Sequence, residues 1–168
     1  MSPIIWSMIQ VELLTGMRPG EVCQLRLREI DRSGEVWLFT PASHKSEHHG
    51  RKRVIPIGPK AQAVILRFAT ADAEAFVFRP KEASDGNVRA RGECYQRNSY
   101  TQAVARGCKR AGVKFTPNQL RHTAGTRIRE VANLDAAQVV LGHSDRRTTE
   151  IYAEADTRLA VDVIRRIG

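Results

Sequence analysis

Four side chains of this sequence could together act on a phosphodiester. They are two arginines, a histidine and a tyrosine, each in its own short motif: Arg18, Arg121, His143 and Tyr152. A phenol can serve as a nucleophile, and the planar guanidinium fork can hold two phosphate oxygens. His143 and Tyr152 are separated by a predicted turn, and the pair is far more specific than either residue alone. The combination therefore indicates chemistry at a phosphate group.

The local sequence places the first arginine beside the start of a helix. Arg18 lies between Gly16, which ends one predicted helix, and Pro19, which can open the next. The amides at a helix N-terminus favour a bound anion, and so does the helix dipole. Glu21 follows three residues after Arg18, where it could cap the helix or orient the guanidinium through a salt bridge.

The second arginine lies near another predicted helix start. Thr116 is the expected N-cap and Pro117 the first helical residue. Asn118 and Arg121 are three residues apart and therefore share one face of this helix. Because that face begins at the helix N-terminus, it is a favourable place for a phosphate. His122 points elsewhere, and we expect it to have a structural role.

Composition favours a polyanionic partner. The chain has 168 residues, enough for one domain, with 27 Lys and Arg against 18 Asp and Glu and a net charge of +9. The three cysteines (Cys23, Cys94 and Cys108) show no CxxC spacing and indicate reduced thiols. The apolar stretches are far shorter than the roughly 18 residues of a membrane span. We therefore expect a cytoplasmic protein that does not bind a membrane.

Apolar periodicity predicts an α+β domain that is mostly helical and has one small antiparallel sheet. Helices are predicted at 3–14, from 19 onward, and at 59–68, 99–111, 117–131, 135–141 and 156–167, with a helical turn at 148–152. The strands at 36–39 and 53–57 predict a β-hairpin with a long basic tip, and 76–78 a short strand or extended segment. Residues 79–97 are predicted to form a loop that could touch DNA.

The motifs resemble those of the tyrosine recombinases, the phage integrase family. Thr-Gly-Met-Arg-Pro-Gly-Glu-Val resembles the family's first-arginine box, and Thr-Pro-Asn-Gln-Leu-Arg-His-Thr its His-x-x-Arg box. Leu-Gly-His-Ser and Ile-Tyr-Ala resemble the boxes that carry its histidine and its tyrosine. Four boxes in the family's order make the resemblance specific, and it covers nearly the whole chain. It implies the fold of the family's catalytic domain.

The resemblance also implies site-specific DNA recombination or integration. Tyr152 would attack a DNA phosphate to give a 3′-phosphotyrosyl intermediate. The 5′-hydroxyl of a second strand would then attack this intermediate and reverse the step. Arg18 and Arg121 would bind the non-bridging oxygens, and His143 would hydrogen-bond the phosphate or the tyrosine oxygen. Lys45 is the best match for a catalytic lysine on the family's hairpin, and would protonate the 5′-oxygen as it leaves.

Two features depart from the family pattern. Asn118 stands where the His-x-x-Arg box begins with histidine, and an amide can donate a hydrogen bond but cannot titrate. The first-arginine box begins at Thr15, although family members usually carry an N-terminal helical domain that clamps DNA. We therefore expect residues 1–168 to be a catalytic domain without its core-binding domain.

The expected partner is double-stranded DNA, on which the full-length protein would assemble as a tetramer. No metal or cofactor is expected, because the arginines supply the electrostatic stabilisation, and the spacing of the histidines at 44, 48 and 49 is untidy for a metal site. The family resemblance indicates a bacterial, phage or mobile-element origin. Two alternatives remain open: a type IB topoisomerase that relaxes DNA, and a catalytically weak DNA-binding remnant.

Overall fold

The computed structural model describes residues 1–42, 53–80, 92–142 and 153–167. Three of the predicted catalytic residues, Lys45, His143 and Tyr152, lie outside these ranges, as do the three loop histidines and the predicted turn at 148–152. Arg18, Glu21, Asn118 and Arg121 lie within them.

Seven α-helices occupy the described part of the chain. They are α1 (Pro3–Thr15), α2 (Pro19–Cys23), α3 (Pro59–Leu66), α4 (Arg97–Ala111), α5 (Pro117–Val131), α6 (Leu134–Leu141) and α7 (Ala153–Ile167). Four of them, α1, α2, α3 and α5, start at a proline, whose fixed φ and missing N–H suit the first helical position. The predicted helices are confirmed, although α4 begins two residues and α7 three residues earlier than predicted. No helix in the described ranges has the length and apolar character needed to cross a bilayer.

A small antiparallel sheet lies beside the helices, with the strand order β1 (Ile30–Asp31), β2 (Trp37–Phe39) and β3 (Ile55–Ile57). Phe39 pairs with Ile30 on one side and with Ile55 on the other. The predicted pairing of β2 with β3 is confirmed. The strand β1 was not predicted, because two residues are too few to show alternation. At 76–78 an extended segment forms a single bridge, between Phe76 and Arg26.

The helix α1 runs through the middle of the domain. Its buried side chains point in all directions and include Ser7, Glu12 and Thr15 as well as the aliphatic residues. A helix that is buried on nearly every side belongs to the interior of a domain. It packs against α3 and α5 as well as the shorter α2.

The last helix packs on its own domain. Ala160, Val163 and Ile164 of α7 are buried in a cluster with Val140 of α6 and Ile128 of α5. A helix with such an apolar stripe can dock in this way or cross to a neighbouring protomer, and the structure shows the first. The amphipathic pattern alone did not decide between the two, since either surface would cover the same apolar stripe.

Candidate active site

Arg18 and Glu21 form a closed unit at the start of α2. The Glu21 carboxylate accepts a 2.6 Å hydrogen bond from the Arg18 backbone N–H and a 2.8 Å bond from Arg18 Nη1. Both roles considered for Glu21 are therefore realised: it caps the helix and it orients the guanidinium. Glu21 is buried, whereas 27% of the Arg18 side chain is exposed. The arginine is therefore held by a buried carboxylate and remains accessible to solvent.

Arg121 reaches from α5 to the carboxyl ends of two other helices. Its Nη1 donates to the carbonyl oxygen of Gly16, and its Nη2 donates to that of Leu141. Carbonyls in the last turn of a helix lack intrahelical partners, and the helix dipole makes this end favourable for a cation. Arg121 therefore joins the ends of α1 and α6, and its guanidinium retains three further N–H donors.

Close packing around Leu141 makes this reach possible. Gly16 takes a φ of 68°, and a Cβ built on it would lie 2.7 Å from Leu141 Cδ2. A Cβ on Gly125 of α5 would lie 2.7 Å from Leu141 Cδ1. Leu141 therefore packs directly against two glycines, where a larger residue would force its side chain to shift, and α6 lies close enough to α5 for the Arg121 bonds.

The charges of the two predicted arginines influence each other. Burial and, to a smaller extent, the nearby charges of Arg53 and Arg18 lower the pKa of Arg121 to about 10, while Glu21 and Glu12 oppose the shift. Arg121 therefore remains protonated at neutral pH. The structure brings Arg18 and Arg121 into one neighbourhood although they are far apart in sequence.

Arg53 belongs to the same cluster, and the sequence did not reveal it. Its side chain is buried, with Nε 3.5 Å from Glu21 Oε1 and with Nη1 donating a 3.0 Å hydrogen bond to the Val140 carbonyl. Burial lowers the pKa of Arg53, and the Glu21 charge opposes this. In the sequence Arg53 looks like one more basic residue of the hairpin, after Arg51 and Lys52, and no signal distinguishes it.

A second buried carboxyl lies behind the arginines. Glu12 of α1 is fully buried and accepts a 2.6 Å hydrogen bond from the hydroxyl of Tyr100 in α4. Burial raises the pKa of Glu12 to about 8, against smaller lowering effects of the Tyr100 hydrogen bond and the Arg121 charge. The signal for this residue was present in the sequence, because Glu12 interrupts an otherwise apolar stretch and a buried acid is rare.

Asn118 and His122 lie at the surface. Asn118 is exposed on the first turn of α5. The predicted cap at Thr116 is confirmed, since its hydroxyl accepts from the Gln119 N–H, and Gln119 Oε1 in turn accepts from the Thr116 N–H at 2.8 Å. His122 is also exposed. Asn118 thus lies on the solvent side of the helix end, one turn before the buried Arg121.

Comparison with known proteins places this chain in a family. Residues 5–158 match the phage integrase family, and the chain belongs to that family. It is 31% identical to the tyrosine recombinase XerC of Corynebacterium glutamicum over 152 residues, which are 88% of this chain and 46% of that protein. The chain therefore spans about half the length of such relatives.

Solved structures share the fold. The integrase from mycobacterium phage Brujita superposes with a TM-score of 0.68 at 17% identity, over 98% of this chain and 52% of that one. The Tn1549 transposon integrase, solved in complex with a circular intermediate DNA, superposes with a TM-score of 0.61 at 18% identity, over 91% of this chain and 57% of that one. The predicted fold class is confirmed.

Proposed function

We propose that this chain is the catalytic domain of a site-specific recombinase or integrase, which cleaves and rejoins double-stranded DNA through a phosphotyrosine. The observation that carries the proposal is the joint placement of Arg18 and Arg121. One is held by Glu21 at the start of α2, and the other is anchored to the ends of α1 and α6. Two fixed guanidinium groups suit a phosphate whose charge rises in the transition state.

The proposed reaction is a transesterification. The Tyr152 hydroxyl gives up its proton to water and its oxygen attacks the scissile phosphorus. The bond from phosphorus to the 5′-oxygen breaks, and the strand remains attached as a 3′-phosphotyrosyl ester. Lys45 gives its proton to the departing 5′-oxygen, and His143 hydrogen-bonds the phosphate or the Tyr152 oxygen. The ester keeps the energy of the broken bond, so that the 5′-hydroxyl of another strand can reverse the step.

DNA is the proposed partner, and assembly as a tetramer on DNA is proposed for the full-length protein. The charge of +9 supports binding to a polyanion. The Tn1549 integrase, which shares the fold, is solved with DNA, and relatives of the chain are named tyrosine recombinases. These names favour recombination over the topoisomerase alternative.

Covalent capture of DNA tests the proposal without knowledge of the target site. The protein is mixed with a pool of nicked duplexes of random sequence, and DNA that stays attached in detergent is recovered and sequenced. We expect the wild-type protein to enrich a site and Tyr152→Phe to capture none while still binding DNA, because only the nucleophilic oxygen is lost. The chain has three tyrosines, so Tyr95→Phe is the matched control and should still capture DNA. Persistent capture by Tyr152→Phe would remove Tyr152 from the proposal.

A substrate with sulfur in place of the bridging 5′-oxygen tests Lys45. A thiolate can leave without being protonated, whereas an alkoxide needs a proton to leave. Lys45→Ala should therefore cleave the oxygen substrate slowly and the sulfur substrate at nearly the wild-type rate. Equal loss on both substrates would show that Lys45 is not the proton donor.

Plasmid assays separate the two classes of enzyme that form such adducts. A recombinase should exchange strands between two copies of the enriched site. Relaxation of supercoils without any exchange would instead indicate a topoisomerase, and binding without any adduct would indicate the DNA-binding remnant.

A further inference from the structure

Arg53 contacts Glu21, which pairs with Arg18, and the helix α6, whose end Arg121 also binds. Arg53 itself lies in the segment just before β3, whereas Glu21 lies in α2 and Val140 in α6. Glu21 Oε1 accepts from Arg18 Nη1 at 2.8 Å and lies 3.5 Å from Arg53 Nε. A single carboxylate oxygen therefore connects the two guanidinium groups.

The other end of Arg53 meets the helix that also holds Arg121. Arg53 Nη1 donates to the carbonyl of Val140, and Arg121 Nη2 donates to the carbonyl of the next residue, Leu141. Two arginines from different elements thus hold consecutive carbonyls in the last turn of α6. Gly142 follows with a φ of 61°, and any Cβ there would collide with the Arg53 guanidinium.

Burying the Arg53 guanidinium costs free energy that a surface position would avoid. A guanidinium group is expensive to bury unless a counter-charge and hydrogen-bond acceptors compensate it. Arg53 is 7% exposed and lies within the electrostatic influence of Arg18, which lowers its pKa further. An aliphatic side chain would fill this volume without that cost, so the retained charge points to a role that depends on Glu21 and on the end of α6.

We propose that Arg53 is a positioning residue for DNA cleavage: it holds the Glu21 carboxylate oxygen that also pairs with Arg18 and ties it to the end of α6, so that Arg18 and Arg121 keep one relative geometry. This inference rests on the proposed function. Arg53 acts without touching the phosphate in this role, with Nε beside Glu21 and Nη1 bonded to Val140. Its effect on the reaction passes through Arg18.

Single-turnover cleavage in a double-mutant cycle tests this role. Arg53→Lys keeps the charge but loses the fork, and we expect it to slow cleavage about 10- to 100-fold with DNA affinity within about threefold of wild type. In an Arg18→Lys background the same change should cost less than about threefold, because the group that Arg53 positions is already lost. Arg28→Lys is the matched control, since Arg28 also pairs with a glutamate but at the surface, and it should be silent. A full effect of Arg53→Lys in both backgrounds, or no effect in either, would overturn the proposal.

A second substitution perturbs Arg53 without replacing it. Gly142→Ala places a methyl group against the Arg53 guanidinium, whereas Gly112→Ala meets open space at a similar φ of 68°. Both variants should lose stability, but only Gly142→Ala should slow cleavage, and most of that loss should vanish in the Arg18→Lys background. If the loss persists there, Gly142 acts through a neighbour such as His143 and this arm counts against the proposal.

Side-chain NMR of the free protein keeps the inference separate from the proposed function. With nitrogen-15 in the arginines, the Arg18 Nε–H group should have a high order parameter in the wild-type protein and a clearly lower one in Arg53→Lys. An unchanged Arg18 signal would refute the positioning role even if the protein cleaves DNA. If the Arg18 order parameter falls in Arg53→Lys but the wild-type protein forms no adduct with DNA, Arg53 does position Arg18 and the proposed reaction is rejected.

Discussion

Two buried carboxyl groups, Glu21 and Glu12, both act on the charge of Arg121 and have opposite surroundings. Glu21 is an ion-pair partner of both Arg18 and Arg53, which approach the same carboxylate oxygen. Glu12 has the phenol of Tyr100 as its hydrogen-bond partner, and burial raises its pKa to about 8. One acid is thus held among cations at the edge of the site, and the other is largely neutral at physiological pH.

The difference shows how the domain supports a cluster of positive charge. Near the surface, a carboxylate can hold two guanidinium groups in place and still leave the cluster with net positive charge for a phosphate. Deeper in the domain, a second charged carboxylate would be costly to bury and would attract Arg121 away from solvent. A protonated acid bonded to a phenol fills that position with little charge. The following predictions separate these two roles.

The largest effect is expected for Glu21→Gln. The change keeps the shape but removes the counter-charge of the buried Arg53, and breaking a buried pair in this way costs about 3–5 kcal/mol. Urea unfolding measures the loss. Glu74→Gln is the control, because Glu74 pairs with Arg28 at the surface, where the loss should be below about 1 kcal/mol. Equal effects of the two changes would show that the Glu21 pairs are no stronger than surface pairs.

The effect of Glu12→Gln on the free energy of unfolding should depend on pH. The unfolded state releases the Glu12 proton near its ordinary pKa of 4.5, whereas the folded state holds it up to about 8. Between these values the unfolded chain binds fewer protons, so the wild-type free energy of unfolding falls as pH rises. Relative to Glu12→Gln, the wild type should lose on the order of a few kcal/mol from pH 5 to pH 8.

Urea unfolding of both proteins across this pH range gives the difference. A difference that stays constant from pH 5 to pH 8 would mean that the folded state does not raise the pKa of Glu12. In a series extended below pH 5, a difference that grows in favour of the wild type as pH rises toward 5 would mean that Glu12 is a charged partner of Arg121, like a second Glu21.

Tyr100→Phe should have a smaller effect, which isolates the phenol. The change leaves a buried carboxyl without its hydrogen-bond donor, at a cost of about 1–3 kcal/mol. Because the Tyr100 hydrogen bond lowers the pKa of Glu12, its loss should shift the pH-dependent fall in stability to higher pH. In the Glu12→Leu background the tyrosine has no carboxyl to satisfy, and the cost of Tyr100→Phe should shrink. If Tyr100→Phe costs as much stability in the Glu12→Leu background as in the wild type, the hydroxyl acts through something other than its bond to Glu12.

The same contrast explains what the sequence could and could not predict. The helices starting at Pro19 and Pro117 follow from local rules for helix starts, and so do the cap at Thr116 and the pairing of Glu21 with Arg18. These features depend on residues a few positions apart. The apolar periodicity likewise predicts α1 and the β2–β3 pairing.

Contacts between distant segments left no such local signal. Arg53 and Val140 are 87 positions apart in sequence, and Tyr100 and Glu12 are 88 positions apart. A basic residue in a basic segment and a tyrosine in a helix both have ordinary surface and core explanations. The docking of α7 on its own domain was equally undetermined, because an amphipathic stripe does not specify which apolar surface covers it.

The most direct test of the central claim is a crystal structure of the Tyr152→Phe protein, in full-length form, bound to an uncleaved duplex of its enriched site. We predict that Arg18 and Arg121 donate to non-bridging oxygens of the same phosphate, with Glu21 still between Arg18 and Arg53. A complex in which the two arginines contact different phosphates, or in which either faces away from the DNA while position 152 adjoins the backbone, would contradict the account.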